Sequence, residues 1–80
     1  MEISYARAAV KAINGMDKAT KQRIKAAVEK IPEGDIKPFK GSPGTYRLRV
    51  GGWRILFSYP ERDIILIDKI GPRGDVYKGV

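Results

Sequence analysis

Thr45-Tyr46-Arg47-Leu48-Arg49-Val50-Gly51-Gly52-Trp53-Arg54-Ile55-Leu56-Phe57-Ser58-Tyr59 is the stretch on which the fold turns. Two alternating runs flank a Gly-Gly pair, which reads as a tight hairpin whose central residues both take positive φ. With Gly51-Gly52 as the loop, Val50 faces Trp53, Leu48 faces Ile55 and Tyr46 faces Phe57. One face of the hairpin is then apolar or aromatic. The other carries Arg49 directly opposite Arg54, with Arg47 two residues further along. Like charges directly across a ladder are destabilising. Three guanidinium groups on one sheet face therefore point to a site for an anion.

Outward from the hairpin, the chain reads as strand, two helices, then a three-stranded meander. Glu2-Ile3-Ser4-Tyr5 is a short edge strand. Ser4 can cap a first helix with apolar positions Ala6, Ala9, Val10 and Ile13. Gly15, after Asn14, suits a left-handed helix terminus. Asp17 can cap a second helix with Ile24, Ala27, Val28 and Ile31 inward, and Pro32 stops it. Residues 33–44 form a loop punctuated by Gly34, Pro38, Gly41, Pro43 and Gly44. Pro60-Glu61-Arg62-Asp63 is a second turn, and Ile64-Ile65-Leu66-Ile67 suits a strand buried on both faces. Residues 71–80 read as a loop and a short extended tail. The expected architecture is α+β: the N-terminal strand and a two-helix hairpin packed on one face of a small, mainly antiparallel sheet. The apolar hairpin face packs on the helices, so the arginine face lies on the other side as a shallow basic concavity.

Eighty residues allow a single domain, 1–80, near the lower size limit for independent folding. No cysteine is present for disulfides or thiolate zinc sites, and no histidine for the usual general base or metal ligand. No metal or cofactor is expected, and chemistry falls to Arg, Lys, Tyr, Asp or Glu. A signal peptide and a long apolar run are both lacking, so the expectation is a soluble cytoplasmic protein without a membrane partner. The formal charge is +7, and no acidic residue lies between Asp35 and Glu61 while Lys37, Lys40, Arg47, Arg49 and Arg54 all do. A one-signed stretch in a small chain implies a polyanionic partner, namely RNA, DNA or an acidic protein segment.

Residues 40–55, Lys-Gly-Ser-Pro-Gly-Thr-Tyr-Arg-Leu-Arg-Val-Gly-Gly-Trp-Arg-Ile, with Ile70-Gly71-Pro72-Arg73-Gly74-Asp75-Val76-Tyr77-Lys78, resemble the RelE/ParE superfamily of toxins. The two motifs occur in order and at the right separation, and the resemblance extends over essentially the whole chain. It implies the toxin of a type II toxin–antitoxin system with a cognate antitoxin, in a complex that can be a higher oligomer. The RelE branch cuts messenger RNA in the ribosomal A site, and the ParE branch poisons DNA gyrase. Arg47 and Arg49 match basic positions of the RelE branch on the first meander strand, and Arg54 matches an arginine opening the next. Arg73 matches an arginine after the last strand, and Tyr77 a tyrosine near the C-terminus. Pro72 departs from the histidine or lysine that many relatives carry there.

The resemblance thus implies a ribosome-dependent, metal-independent endoribonuclease with catalytic residues Arg47, Arg49, Arg54, Arg73 and Tyr77. Arginine stays protonated, so its role is charge stabilisation by bidentate phosphate contacts. Arg49, Arg54 and Arg73 are assigned to the phosphates, and Arg47 to phosphate or leaving group. Tyr77 is the proton-transfer candidate. Lys37 and Lys40 are expected to contact RNA away from the chemistry. A non-catalytic gyrase inhibitor and a decayed RNA-binding module are the alternatives.

Overall fold

The computed structural model describes residues 2–72. Five strands and two helices follow in the order β1 (Glu2–Tyr5), α1 (Arg7–Asn14), α2 (Lys18–Glu29), β2 (Asp35–Pro38), β3 (Thr45–Val50), β4 (Trp53–Glu61) and β5 (Ile64–Pro72). The strands form one sheet in the order β1-β5-β4-β3-β2, with β1 parallel to β5 and every other pairing antiparallel. Strand, helical hairpin and meander thus appear as expected, with β1 at one edge of the sheet.

The hairpin register is the one its alternation predicts. Val50 pairs with Trp53, Arg49 with Arg54, Leu48 with Ile55 and Tyr46 with Phe57. Only Gly51 takes positive φ, at +59°, so Gly52 does not need the left-handed conformation expected of both. A glycine of positive φ at the first central position alone is the pattern of a type II′ turn. A Cβ on Gly51 would lie 2.7 Å from Nη2 of Arg23, whose guanidinium lies against the turn.

Leu48, Ile55 and Phe57 of the hairpin, with Ile65, Ile67 and Ile70 of β5, meet Ala9 and Ile13 of α1 and Ile24 and Val28 of α2 in one core. Tyr46, Val50 and Trp53 are partly buried against it. The two helices cover a single face of the sheet, because each has only one apolar stripe to bury.

Several details depart from the linear reading. Ser4 does not cap α1; it pairs with Leu66 in the sheet. The Ala6 N–H still bonds the Ile67 carbonyl at 2.9 Å, so strand pairing holds the chain extended until Ala6, which is the N-cap. Asp17 is the N-cap of α2 but makes no side-chain cap bond. Gly15 closes α1 at φ −88°, not in the left-handed region. Val10, one of the apolar positions of α1, is 42% exposed. Residues 33–44 are not all loop, since β2 forms there and pairs with β3. Proline is tolerated in β2 because an edge strand has one side free of ladder bonds. β4 runs through Pro60 to Glu61, which shortens the expected second turn to Arg62-Asp63. β5 runs on to Pro72, so Gly71 and Pro72 are strand, not loop. Ile65 and Ile67 are buried while Ile64 and Leu66 are only half-buried, because the helices shield one side of this strand.

Candidate nucleic-acid interface

The face turned from the helices is assembled by register. Directly opposite residues in a sheet project to the same side. Arg49 lies between Asp35 on β2 and Arg54 on β4, and Arg54 lies opposite Gly71 on β5. The next row along is Lys37, Arg47, Leu56 and Lys69. Arg47, Arg49 and Arg54 therefore share one face, as alternation predicts. Lys37 joins them directly beside Arg47, nearer than the peripheral position expected of it.

Counter-charges on this face are few. Arg47 Nη2 lies 3.7 Å from Oδ1 of Asp35, with the side chains 18% and 49% exposed. A partly exposed pair of this kind contributes about 0–1 kcal/mol, so a phosphate can compete for Arg47. Arg54 donates from Nη1 to its neighbour's carbonyl, Trp53 O, at 3.4 Å. Arg49 is exposed. The like-charge Arg49–Arg54 pairing thus lacks an ion-pair partner among the described residues.

A β-bulge shapes the centre of the face. Leu56 pairs with Lys69 but its neighbour Phe57 pairs with Ile67, so Asp68 is the extra residue on β5. Ser58 Oγ donates to Oδ2 of Asp68 at 3.1 Å, which brings Asp68 to the side of Ser58. Lys69, opposite Leu56, lies on that side too. Strict alternation would have sent one of these neighbours into the core. Leu56 itself is 2% exposed although it lies outside the core under the helices. Neither Lys69 nor the grouping of Asp68 with it follows from the linear pattern; the polar pair interrupting an apolar run at Asp68-Lys69 is the one hint of a bulge.

Lys40 sits elsewhere. It lies in the β2–β3 connection, closed by Phe39 N–H to Thr45 O at 2.8 Å and Thr45 N–H to Ser42 O at 3.1 Å. This connection is at the end of β3 remote from Gly51-Gly52. Arg73 and Tyr77 lie outside the described residues. A cleft of about 500 Å³ lies on the helical side, lined by Arg23, Ala26, Ala27, Lys30, Leu48 and Arg49 among others. On that side too, burial and then the Glu29 carboxylate raise the Tyr5 phenol above its ordinary 10.0, which makes it a poor base near neutrality.

Comparison with solved structures gives the same fold. The RelB–RelE antitoxin–toxin complex of Methanococcus jannaschii matches with TM-score 0.74 and 27% identity, over 92% of this chain and 94% of that one. The RelE–RelB complex of Pyrococcus horikoshii OT3 matches with TM-score 0.68 and 25% identity, over 92% and 96%. The isolated E. coli RelE toxin shares the fold at TM-score 0.69 and 15% identity, over 90% and 83%. No curated protein matches the sequence. The family model described as the ParE toxin of type II toxin–antitoxin system, parDE, matches residues 3–77. With that match spanning strand, helical hairpin and meander alike, the chain belongs to the ParE toxin family of type II toxin–antitoxin systems, within the RelE/ParE superfamily.

Proposed function

We propose that this toxin is a ribosome-dependent endoribonuclease that cuts messenger RNA without metal and is held in check by a cognate antitoxin in the cytoplasm. The observation that carries the reading is the convergence of Arg47, Arg49 and Arg54 on one sheet face, with Lys37 and Lys69 beside them. Guanidinium groups so placed can grip a phosphate bidentately and stabilise the charge of a phosphorane as it develops. Arg49 and Arg54 hold the scissile and neighbouring phosphates together with Arg73, and Arg47 serves phosphate or leaving group. Lys37 and Lys40 guide the RNA backbone. Tyr77 takes the 2′-hydroxyl proton, leaving a 2′,3′-cyclic phosphate. The antitoxin is supported by the M. jannaschii and P. horikoshii relatives, both of which are toxin–antitoxin complexes. Its expected form is a segment disordered when free that orders on the toxin.

The family's name favours a second reading, in which the basic face binds DNA gyrase and nothing is cut. Cell-free translation with purified toxin separates the two. Messages truncated at discrete sites, with gyrase supercoiling unimpaired, support cleavage. Intact translation with inhibited supercoiling supports the gyrase reading. Loss of neither activity leaves only a folded RNA-binding module.

A further inference from the structure

We propose that Lys69 is the general acid of the cleavage, giving its ammonium proton to the departing 5′-oxygen. The inference rests on the endoribonuclease reading above. Strand register places Lys69 on the face that carries the arginines. It is directly opposite Leu56 on the arginine face, two strands from Arg47 in the same row. It is also the diagonal neighbour of Arg54, whose direct partner is Gly71. Diagonal neighbours are roughly 7–8 Å apart at the backbone, within reach of two long side chains converging on one group. The bulge at Asp68 is what keeps the neighbouring carboxylate on this face as well, bound to Ser58 at 3.1 Å.

The chemistry selects Lys69 from the cations around it. A departing alkoxide is a strong base and needs a proton as the phosphorus–oxygen bond breaks. Arginine keeps its protons throughout the accessible range, so Arg47, Arg49 and Arg54 supply charge but not a proton. Lys37 is exposed on the edge strand, whereas Lys69 is half-buried on β5, a central strand. Among the described residues no carboxylate lies within ion-pair distance of Lys69, the one ion pair being Arg47–Asp35. Its ammonium is therefore free to face substrate. In the step itself the 2′-oxygen loses its proton to the base and bonds to phosphorus. The bond from phosphorus to the 5′-oxygen breaks, and that oxygen takes the Lys69 proton. The neutral amine regains a proton from solvent.

Single-turnover cutting of programmed ribosomes tests this, using a message with either the natural 5′-oxygen or a 5′-sulfur at the scissile phosphate. A thiolate leaves without protonation. Lys69→Ala and Lys69→Arg should both slow the oxygen message by ~100-fold or more. Both should cut the sulfur message within a few-fold of wild type. Lys69→Arg keeps the charge, so normal cutting of the oxygen message by that variant overturns the proposal. Equal losses on both messages overturn it as well, because they assign Lys69 to binding or folding. If wild-type toxin cuts neither message, the endoribonuclease reading itself fails and the proposal with it.

Discussion

At the scale of single residues, the arginine face separates two roles that a basic side chain can play. Arg54 sits centrally, between Arg49 and Gly71, and its guanidinium engages only its neighbour's carbonyl among the described residues. Its contacts should strengthen as phosphorane charge grows, so Arg54→Ala should lower the single-turnover cleavage rate by on the order of 100-fold. Lys40, in the connection beyond the far end of β3, should act only through the backbone charge of RNA. Lys40→Ala should weaken ribosome binding evenly and reduce the slope of log affinity against log salt by about one. Similar small losses from both variants, measured by titration and single-turnover cutting, would mean that the arginines bind without catalysing. Arg47, Arg49 and Arg54 were legible from alternation alone. Lys69 was not, because its side depends on a bulge that only pairing with β4 creates.

At the scale of elements, the β3–β4 hairpin carries most of the local information and the turn carries most of the hairpin's. Gly51 has φ +59° and the Arg23 guanidinium against it, while a Cβ on Gly52 would meet nothing within 4 Å. Gly51→Ala should therefore cost about 1–2 kcal/mol from the left-handed backbone, read as a lower midpoint in urea unfolding. Gly52→Ala should change stability by less than about 1 kcal/mol. If the two glycines respond alike, the turn is not the one described. Equilibrium unfolding of a chain this small reports such differences directly. β2 shows the converse case. Asp35-Ile36-Lys37-Pro38 has one aliphatic side chain and a proline, too little for a strand pattern, yet it pairs along β3 from Asp35–Arg49 to Pro38–Tyr46. Its existence depends on the exposed edge of β3, not on its own residues.

At the scale of the whole molecule, two helices on one side of a five-stranded sheet leave the two sides with different chemistry. The helical side buries Phe57, Ile24, Leu48 and Ile55 almost completely, and the other side sets Arg47, Arg49 and Arg54 in register with Lys37 and Lys69. Tyr5 records the packing of the first. It lies in β1 and pairs with Ile67, and burial first, then Glu29 on α2, raise its phenol above 10.0. A raised folded value means that the contribution to stability is fully present below the unfolded value of about 10. It is lost as pH rises through the higher folded value. Tyr5→Phe should therefore show a shallower loss of stability with pH above about 10 than wild type in denaturant titrations. An unchanged alkaline slope would mean that Tyr5 ionises alike in the folded and unfolded chain.

The linear chain by itself determined the hairpin register, the split between apolar and arginine faces, and the two amphipathic helices. These depend on spacings of two to four residues and on one turn, so they are encoded locally. Tertiary structure decided the rest. Whether residues 35–38 become a strand depends on a neighbour's free edge. Whether Ser4 caps a helix or pairs with Leu66 depends on β5, more than sixty residues away. Whether Asp68 and Lys69 share a face depends on how β5 slips by one residue against β4. Each is set by hydrogen-bonding to a partner distant in sequence, and no local period records that partner.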